Sequence, residues 1–204
     1  MTETLTRQRL DLETEELLVN MGPQHPSTHG VLRLVIRTDG EMVRETWPHI
    51  GYLHRCFEKI GQELDFPQTV PYTDRLDYLA SMNNGHVFCM AVEKLGGIEV
   101  PERAEYLRVI MAELNRIASH LIAFGTYALD LGAFTPFIYG FREREMLLDI
   151  FEKISGGRLL YHYSRIGGVA RDLTPEIAND IEEFLKIFPS KWEEYNTLLS
   201  YNKI

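Results

Sequence analysis

Alternating apolar and polar positions mark the first part of the chain. Residues 31–37 and 42–47 alternate with the period of a half-buried strand, and Asp39-Gly40 between them is a strong hairpin signal. Residues 16–21 form a further short apolar strand candidate. The pattern predicts a small antiparallel β-sheet over residues 16–48, preceded by a polar, acidic and flexible lead-in over residues 1–15.

After Pro48 the apolar residues take up the spacing of a helix. A first helix is predicted from Ile50, Leu53, Phe57 and Ile60. Thr73 or Asp74 is expected to cap a second helix that runs toward residue 95, with a disturbance at residues 83–85. Gly96-Gly97 should end that helix, because glycine readily adopts the left-handed conformation found after helix ends.

Further helices fill the rest of the chain. Pro101 opens one at a favoured first-turn position, and its expected apolar face consists of Ala104, Leu107, Met111, Leu114, Ile117 or Ala118, and Leu121. A helix over residues 141–154 stops at Gly156-Gly157, and two more are predicted over residues 175–188 and 190–201. The fold class is therefore α+β: a small N-terminal antiparallel sheet, then a mainly α-helical bundle over residues 49–204.

Residues 117–141 are apolar enough to be mistaken for a membrane span. The stretch is sufficiently long for one, but Asp130 lies within it, and Gly125, Gly132 and Pro136 interrupt it. The apolar pattern also continues the amphipathic helix before it. We therefore predict a buried helix in a soluble bundle, since unpaired charges in membrane helices are rare.

Composition excludes some classes of function. The net charge is −9, whereas a nucleic-acid binder needs clustered Lys and Arg to neutralise phosphates. Cys56 and Cys89 are far apart and form no C-x-x-C pattern, which predicts free thiols in a reducing compartment. The polar N-terminus predicts no export signal. No dinucleotide-binding or P-loop motif and no zinc or iron–sulfur ligand set occurs, so we expect no bound metal.

The most unusual segment is the loop at residues 22–30 (GPQHPSTHG). Its prolines restrict the backbone, so His25 and His29 should be held in place. A fixed imidazole that titrates near neutrality can deliver a proton to a ligand. The alternative is a pair of loop histidines that only form local hydrogen bonds, and spacing alone favours that alternative.

Three further groups of charged residues are candidates for chemistry. Residues 72–78 (YTDRLDY) resemble a helix N-terminus with a local ion pair, which accounts for Asp74 but not for Tyr78. Asp130 has apolar neighbours, so its carboxylate is expected to be paired, in a buried ion pair or at a helix end. A solvated face or a contact with another protein of a complex is expected for the run Glu143, Arg144 and Glu145.

Several long motifs occur in an order that resembles one family, the D subunits of the proton-pumping NADH-quinone oxidoreductase (respiratory complex I). They are residues 20–33 (NMGPQHPSTHGVLR), 49–55 (HIGYLHR), 71–78 (PYTDRLDY), 91–95 (AVEKL), 128–136 (ALDLGAFTP) and 167–169 (GGV). The likeness extends over essentially all of the chain after its first dozen residues. Six motifs in the right order are far more specific than a single short pattern.

The resemblance implies a quinone-reduction site at an interface with an iron–sulfur subunit. In the family, the histidine at the position of His29 and the tyrosine at the position of Tyr78 hydrogen-bond the quinone head group, and His25 belongs to the same quinone-binding loop. The family aspartate matching Asp130 partners that histidine, which makes His29, Tyr78 and Asp130 the expected catalytic residues. Arg55 and Arg75 match arginines near the terminal cluster of the partner subunit.

The same resemblance implies cofactors, partners and location. Quinone would be the substrate, while NADH and the iron–sulfur clusters would be bound by partner subunits and none by this chain. The expected partners are the iron–sulfur subunit that carries the terminal cluster, the C subunit, and the membrane-arm subunit at the quinone entrance. In a bacterium the complex would place this chain peripherally on the cytoplasmic side of the cell inner membrane.

Departures from the family leave some questions open. Cys56 stands where relatives commonly have glycine. Leu160 stands where some carry a histidine near the terminal cluster, and whether His162 replaces it stays open. Family members are about twice as long, so the chain is expected to match their N-terminal half and to be inactive and at best marginally folded alone.

Two alternative functions remain. One is a non-catalytic structural fragment that only contacts partner subunits. The other is a nickel–iron hydrogenase large subunit, to which the D-subunit family is distantly similar. The absence of a cysteine between Arg75 and Asn84, where the first metal-binding pair would be expected, argues against it.

Overall fold

A computed structural model describes residues 8–10, 14–25 and 28–203 of the chain. Contacts between Cα atoms divide it into two compact units, Met1–Cys56 and Phe57–Ile204. The first unit contains a β-sheet, and the second is mainly helical. The predicted α+β class, with a small antiparallel sheet followed by helices, is confirmed.

The first unit is built on four antiparallel strands in the order β1-β2-β3-β4. The strands are β1 (Gln8–Leu10), β2 (Thr14–Met21), β3 (Arg33–Asp39) and β4 (Met42–His49). Gly40 adopts a positive φ of 59° in the turn between β3 and β4, so the predicted hairpin is confirmed. The lead-in was predicted to lack structure, yet β1 lies within it. The rest of that segment, residues 1–7 and 11–13, lies outside the described residues.

The sheet has a fixed register and a local irregularity. Val19 of β2 faces Ile36 of β3, and Val35 and Ile36 are the buried apolar residues of β3. A register shift between Arg37 and Thr38 marks a β-bulge in the β3–β4 pair. The side chain of Arg37 crosses to Glu45 of β4, with an N–O distance of 2.5 Å.

Six helices and a short two-stranded ladder are described in the second unit. The helices are α1 (Phe57–Glu63), α2 (Phe66–Thr73), α3 (Ser81–Gly96), α4 (Glu102–Asp130), α5 (Phe134–Ser155) and α6 (Pro175–Tyr195). A π-helical segment, Asn196–Ser200, follows α6 directly. The strands β5 (Ser164–Arg165) and β6 (Gly168–Val169) pair in antiparallel fashion between α5 and α6.

The core of this unit lies where α4, α5 and α6 meet. The predicted face of α4 is confirmed, with Ala118 rather than Ile117 fully buried in the middle of it. Glycines allow α4 and α5 to pack closely, because a Cβ on Gly140 would lie 3.0 Å from the carbonyl oxygen of Leu121. The most deeply buried apolar side chains of the cluster are Met111, Leu147, Phe151, Ile154, Phe184 and Tyr195.

Helix ends that depend on glycine agree with the prediction. Gly97 after α3 and Gly156 after α5 adopt left-handed conformations, with φ of 62° and 89°. In each case the glycine N–H donates to a carbonyl four residues earlier, and Cβ-free glycine adopts that conformation without a steric penalty. Pro101 lies at the N-cap of α4, one residue before the helix begins.

Two of the predicted helices begin later than expected, at Phe57 and at Ser81. Residues 50–56 are not helical, because Gly51 and Cys56 have positive φ, and Ile50 is 87% exposed rather than part of a buried face. The helix predicted from Thr73 or Asp74 begins instead at Ser81, and the unpredicted helix α2 ends at Thr73. The carboxylate of Asp74 binds the backbone N–H of His162 and does not cap a helix.

Two other helix predictions have wrong boundaries, each in a segment that contains a proline. Helix α5 begins at Phe134, not at residue 141, since Pro136 lies in the first turn, where no N–H is needed. Residues 175–201 were predicted as two helices, but α6 continues through Pro189. The rings of Phe184 and Phe188 stack with centroids 5.0 Å apart just before the proline.

Among the described residues, no helix combines the length and apolar character needed to cross a membrane. The apolar stretch 117–141 is divided by a turn between α4 and α5, where Gly132 has a positive φ of 83°.

Candidate functional site

The histidine loop is closed by hydrogen bonds of its own backbone. Gln24 N–H donates to the Gly30 carbonyl over 3.0 Å, and the Thr28 hydroxyl donates to the His25 carbonyl over 2.9 Å. A Cβ on Gly22 would lie 2.0 Å from the carbonyl oxygen of Leu32, so only glycine fits there. Of the two histidines, His25 is half-buried, and His29 is exposed with a φ of 47°.

Arg75 and Tyr78 lie on a non-helical segment, residues 74–80, that joins α2 to α3. The guanidinium of Arg75 turns back on α2 and donates to the Pro71 carbonyl over 2.5 Å. The side chain of Tyr78 is 46% exposed. Both predicted site residues are therefore accessible in this unit.

Asparagine side chains hold the backbone on both sides of Tyr78. The amide of Asn84 donates to the Asp77 carbonyl over 3.0 Å. The amide of Asn115 donates to the Leu79 carbonyl over 3.3 Å. The segment forms turn hydrogen bonds of its own, including one from the Ala80 N–H to the Asp77 carbonyl over 3.1 Å. The two asparagines add bonds at the carbonyls of Asp77 and Leu79, before and after Tyr78.

The buried carboxylate of Asp74 anchors the start of the same segment. It is 2% exposed and accepts the backbone N–H of His162 over 2.7 Å. Burial raises the pKa of Asp74, and hydrogen bonds from the backbone at His162 and Tyr161 and the charge of Arg75 only partly offset that effect. Asp74 therefore ties the Tyr78 segment to residues 161–162, before β5.

Basic side chains gather around His162. Burial lowers the pKa of His162, and the positive charges of Arg165 and Arg75 lower it further. The Arg165 guanidinium donates to the His162 carbonyl over 3.2 Å. Arg75, predicted to lie near a partner's cluster, is thus a neighbour of His162, the residue that the sequence left open. Arg165, which sequence reasoning missed, is a second basic neighbour of His162. Leu160, two residues before His162, is half-buried.

Asp130 is not the buried carboxylate that its apolar neighbours predicted. It is the last residue of α4 and is exposed, because the chain turns there and Leu131 after it is also exposed. Of the two alternatives that the sequence left open, the position at a helix end is the one that agrees with the structure.

Of the two alternatives for the run at residues 143–145, a solvated face is wrong for Glu143 and Arg144, since both are buried. Glu145 is exposed, and a contact with another protein stays a prediction. The hydroxyl of Tyr195 contacts the Glu143 carboxylate and lies 2.9 Å from the Tyr139 carbonyl oxygen. These residues are therefore part of the α5–α6 core. Their run of charge gave no sign of it, because the partner Tyr195 lies far along the chain.

A buried ion pair that sequence reasoning missed joins α3, α4 and the β5–β6 turn. Arg108 is 1% exposed, and its guanidinium donates to both oxygens of Glu93 over 2.6 and 3.0 Å. It also donates to the carbonyls of Arg165 and Gly168, while Glu93 accepts the Gly167 N–H over 2.7 Å. Two of the family motifs, AVEKL and GGV, meet at this pair.

Both cysteines are free thiols in the described structure. Cys89 is fully buried, and burial raises its pKa to about 11, whereas Cys56 is exposed. No cluster of three or more His, Cys, Asp or Glu side chains suited to a metal occurs among the described residues. The positive φ of 55° at Cys56 is a conformation that glycine adopts more readily than other residues.

The predicted site residues are distributed over both units. His25, His29 and Arg55 lie in Met1–Cys56, and Arg75, Tyr78 and Asp130 lie in Phe57–Ile204. Within the second unit, Arg75 and Tyr78 share one segment, while Asp130 ends helix α4.

Comparison with known proteins gives one consistent result. Residues 130–204 match the family model of the respiratory-chain NADH dehydrogenase 49 Kd subunit. The D subunit of NADH-quinone oxidoreductase from Chlorobaculum tepidum is 57% identical over 194 residues, which is 95% of this chain and 48% of the relative. The protein of the same name from Chlorobium phaeovibrioides is 53% identical over 203 residues, covering 100% of this chain and 51% of the relative.

The chain spans about half the length of the curated relatives that it matches. The similarity nevertheless runs through both units and includes each of the six motifs, because it extends over almost every residue of the chain. The chain belongs to the family of the D subunits of NADH-quinone oxidoreductase.

Proposed function

We propose that this chain contributes quinone-binding and proton-donating groups to NADH-quinone oxidoreductase, which would reduce quinone with electrons from NADH and couple this to proton translocation. The observation that carries the proposal is the setting of Tyr78, a half-exposed phenol on a segment whose flanking carbonyls are held by Asn84 and Asn115. A group fixed in this way loses little conformational entropy when a ligand binds. The names of the relatives supply the complex and the electron acceptor.

The proposed chemistry assigns a separate role to each residue. Reduction of a quinone to a quinol takes up two electrons and two protons, and a phenol or an imidazole can both hydrogen-bond a carbonyl oxygen and transfer a proton. Tyr78 and His29 take these roles toward the head group, and His25 provides a further contact. Asp130 is assigned as a further catalytic residue on its family motif.

Partner subunits supply the electrons in this proposal. We assign NADH and the iron–sulfur clusters to those subunits and none to this chain. The positive charges of Arg75 and Arg165 beside His162 suit the negative charge of a cluster on a neighbouring iron–sulfur subunit. We propose the same role for Arg55. The C subunit and a membrane-arm subunit are the other proposed contacts, with the chain peripheral to the cytoplasmic side of the inner membrane.

A purely structural role is the second candidate function. Large apolar side chains on α3 and α4 are exposed, including Val87, Met90, Tyr106 and Val109, and exposed apolar groups that are close together often mark contacts with other proteins. A hydrogenase-type role would require bound nickel and iron, so metal analysis of the purified chain separates it from quinone reduction.

Substitution of the two proposed ligands tests quinone reduction directly. In the assembled complex, Tyr78→Phe or His29→Ala should lower quinone reduction by about 10²–10⁴-fold, the usual loss when a general acid is removed. NADH oxidation by an artificial electron acceptor should be unchanged. Tyr72→Phe is the matched control, because Tyr72 is another exposed tyrosine close by in sequence, and it should affect neither activity.

Two outcomes would count against the proposal. Unchanged quinone kinetics in Tyr78→Phe and His29→Ala would remove both residues from the site. An equal loss of quinone and artificial-acceptor activities would indicate failed assembly and would favour the structural role.

A further inference from the structure

A polar side chain lies in the apolar face of α4, directly behind the Tyr78 segment. Asn115 is 1% exposed, and its neighbours along the helix, Met111, Leu114 and Ala118, belong to the core. A buried amide is costly unless its oxygen and its nitrogen both find hydrogen-bond partners. The hydrogen-bond partners of Asn115 therefore indicate its role in the structure.

Asn115 binds the main chain at two points that follow Tyr78 closely. Its Oδ1 accepts the Met82 N–H over 3.0 Å, and its Nδ2 donates to the Leu79 carbonyl over 3.3 Å. Met82 N–H is one of the first N–H groups of α3, which have no partner within the helix. The N-cap residue of α3 makes no side-chain cap, so Asn115 supplies that cap from the neighbouring helix.

The carbonyl on the other side of Tyr78 is held by the same chemistry. Asn84 of α3 donates its amide to the Asp77 carbonyl over 3.0 Å. The carbonyls of Asp77 and Leu79, in the peptide groups 77–78 and 79–80, are thus bound by two asparagines from two helices. These bonds hold the backbone of the segment in place, and the backbone in turn positions the Tyr78 side chain.

We propose that Asn115, together with Asn84, is a positioning residue for Tyr78 in quinone reduction. The inference rests on the proposed function of Tyr78. Asn115 touches neither substrate nor reacting atoms in this account. It fixes the backbone from which the phenol reaches the quinone carbonyl, and small displacements of a reacting group are costly to catalysis.

A neighbouring asparagine provides a matched control. Asn83 donates its amide to the Ala112 carbonyl over 3.3 Å, so it links α3 to α4 with the same type of bond as Asn115. Its bond does not involve residues 74–80. A variant that loses this bond therefore measures the general effect of a weaker contact between α3 and α4 on activity, while the backbone that positions Tyr78 is unchanged.

The test compares Asn115→Asp, Asn84→Asp, Tyr78→Phe and the double variant Asn115→Asp/Tyr78→Phe in the assembled complex. Aspartate keeps the shape and the acceptor oxygen for Met82 N–H, but its carboxylate cannot donate to the Leu79 carbonyl. We expect kcat/KM for quinone to fall by about tenfold or more in Asn115→Asp. Activity with an artificial acceptor should stay at the wild-type level, as should both activities of Asn83→Asp.

The double variant decides whether Asn115 acts through Tyr78. If it does, Asn115→Asp/Tyr78→Phe is no slower with quinone than Tyr78→Phe alone, because the hydroxyl to be positioned is already absent. Losses that multiply in the double variant would overturn the proposal. So would unchanged quinone kinetics in Asn115→Asp alongside a clear loss in Tyr78→Phe.

Misfolding is separable from these outcomes. If Asn115→Asp lowers both activities equally, the more exposed Asn84→Asp variant decides, and the absence of a quinone-specific loss there overturns the proposal. An unaffected Tyr78→Phe variant would instead reject the proposed function itself, independently of Asn115.

Discussion

At the scale of single residues, Asp74 sets the path of the segment that carries Arg75 and Tyr78. Its buried carboxylate accepts the His162 N–H over 2.7 Å, so the chain leaves α2 at Asp74 and does not continue as a helix. Burial is the main influence on this carboxyl group and raises its pKa. The hydrogen bond to the carboxyl oxygen therefore stabilises the fold, whereas the negative charge on the buried group destabilises it.

Two substitutions at Asp74 separate the oxygen from the charge. Asp74→Ala leaves backbone N–H groups unpaired and should lower the free energy of unfolding by about 1–3 kcal/mol. Asp74→Asn keeps an acceptor oxygen. Because the folded-state pKa of Asp74 is raised, the stabilisation linked to its protonated form is fully present below its ordinary value of 3.8 and is lost as pH rises through the folded pKa.

The stability of Asp74→Asn relative to the wild type should therefore increase between acid and neutral pH. Denaturant unfolding of both proteins at several pH values measures this difference. A difference that falls as pH rises would show that the ionised carboxylate stabilises the fold, contrary to this account.

At the scale of secondary-structure elements, Arg108 and Glu93 join α3, α4 and the β5–β6 turn. Burial disfavours the charge of Glu93, but hydrogen bonds from Arg108 and from the Gly167 N–H outweigh it and lower its pKa. Arg108 also satisfies two backbone carbonyls in the turn. The pair therefore holds the loop that contains His162 and Arg165 against the helices.

Removal of Arg108 should be strongly destabilising. Arg108→Ala leaves the Glu93 carboxylate buried without its partner, which typically costs about 3–5 kcal/mol in unfolding free energy. Arg103→Ala is the control on the same helix, because its pair with Asp172 is exposed on both sides and should contribute almost nothing. Similar losses of stability in the two variants would contradict the assignment of Arg108.

The lowered pKa of Glu93 also gives the pair a pH dependence opposite to that of Asp74. Its contribution is present above the ordinary value of 4.5 and is lost as pH falls through the lower folded pKa.

At the scale of the whole molecule, local signals determined which parts of the structure could be predicted. The Asp39-Gly40 hairpin, the apolar face of α4 and the glycine ends of α3 and α5 depend on neighbouring residues, so their patterns were sufficient. The partners of Asp74, Arg108 and Asn115 lie 88, 15 and 36 residues away in sequence. Nothing in the local pattern indicates such contacts, which explains the errors at Asp74 and Glu143.

The residues of the candidate site were predicted from family motifs more than from the spacing of residue types along the chain. His29 and Tyr78 were selected by resemblance to the family, since spacing alone favoured ordinary loop histidines and left Tyr78 unexplained. The support behind Tyr78 became visible only in three dimensions, because Asn84 and Asn115 come from different helices. Asp130 was selected by its motif, while its burial was predicted wrongly from its apolar neighbours.

The most direct measurement for the central claim is photolabelling of the assembled complex with a photoreactive quinone analogue, followed by mapping of the labelled residues. The account predicts that the label is attached within residues 74–80, or on the loop that carries His29, and that excess quinone prevents the labelling. Labelling confined to other parts of the complex, or labelling here that excess quinone does not reduce, would contradict it.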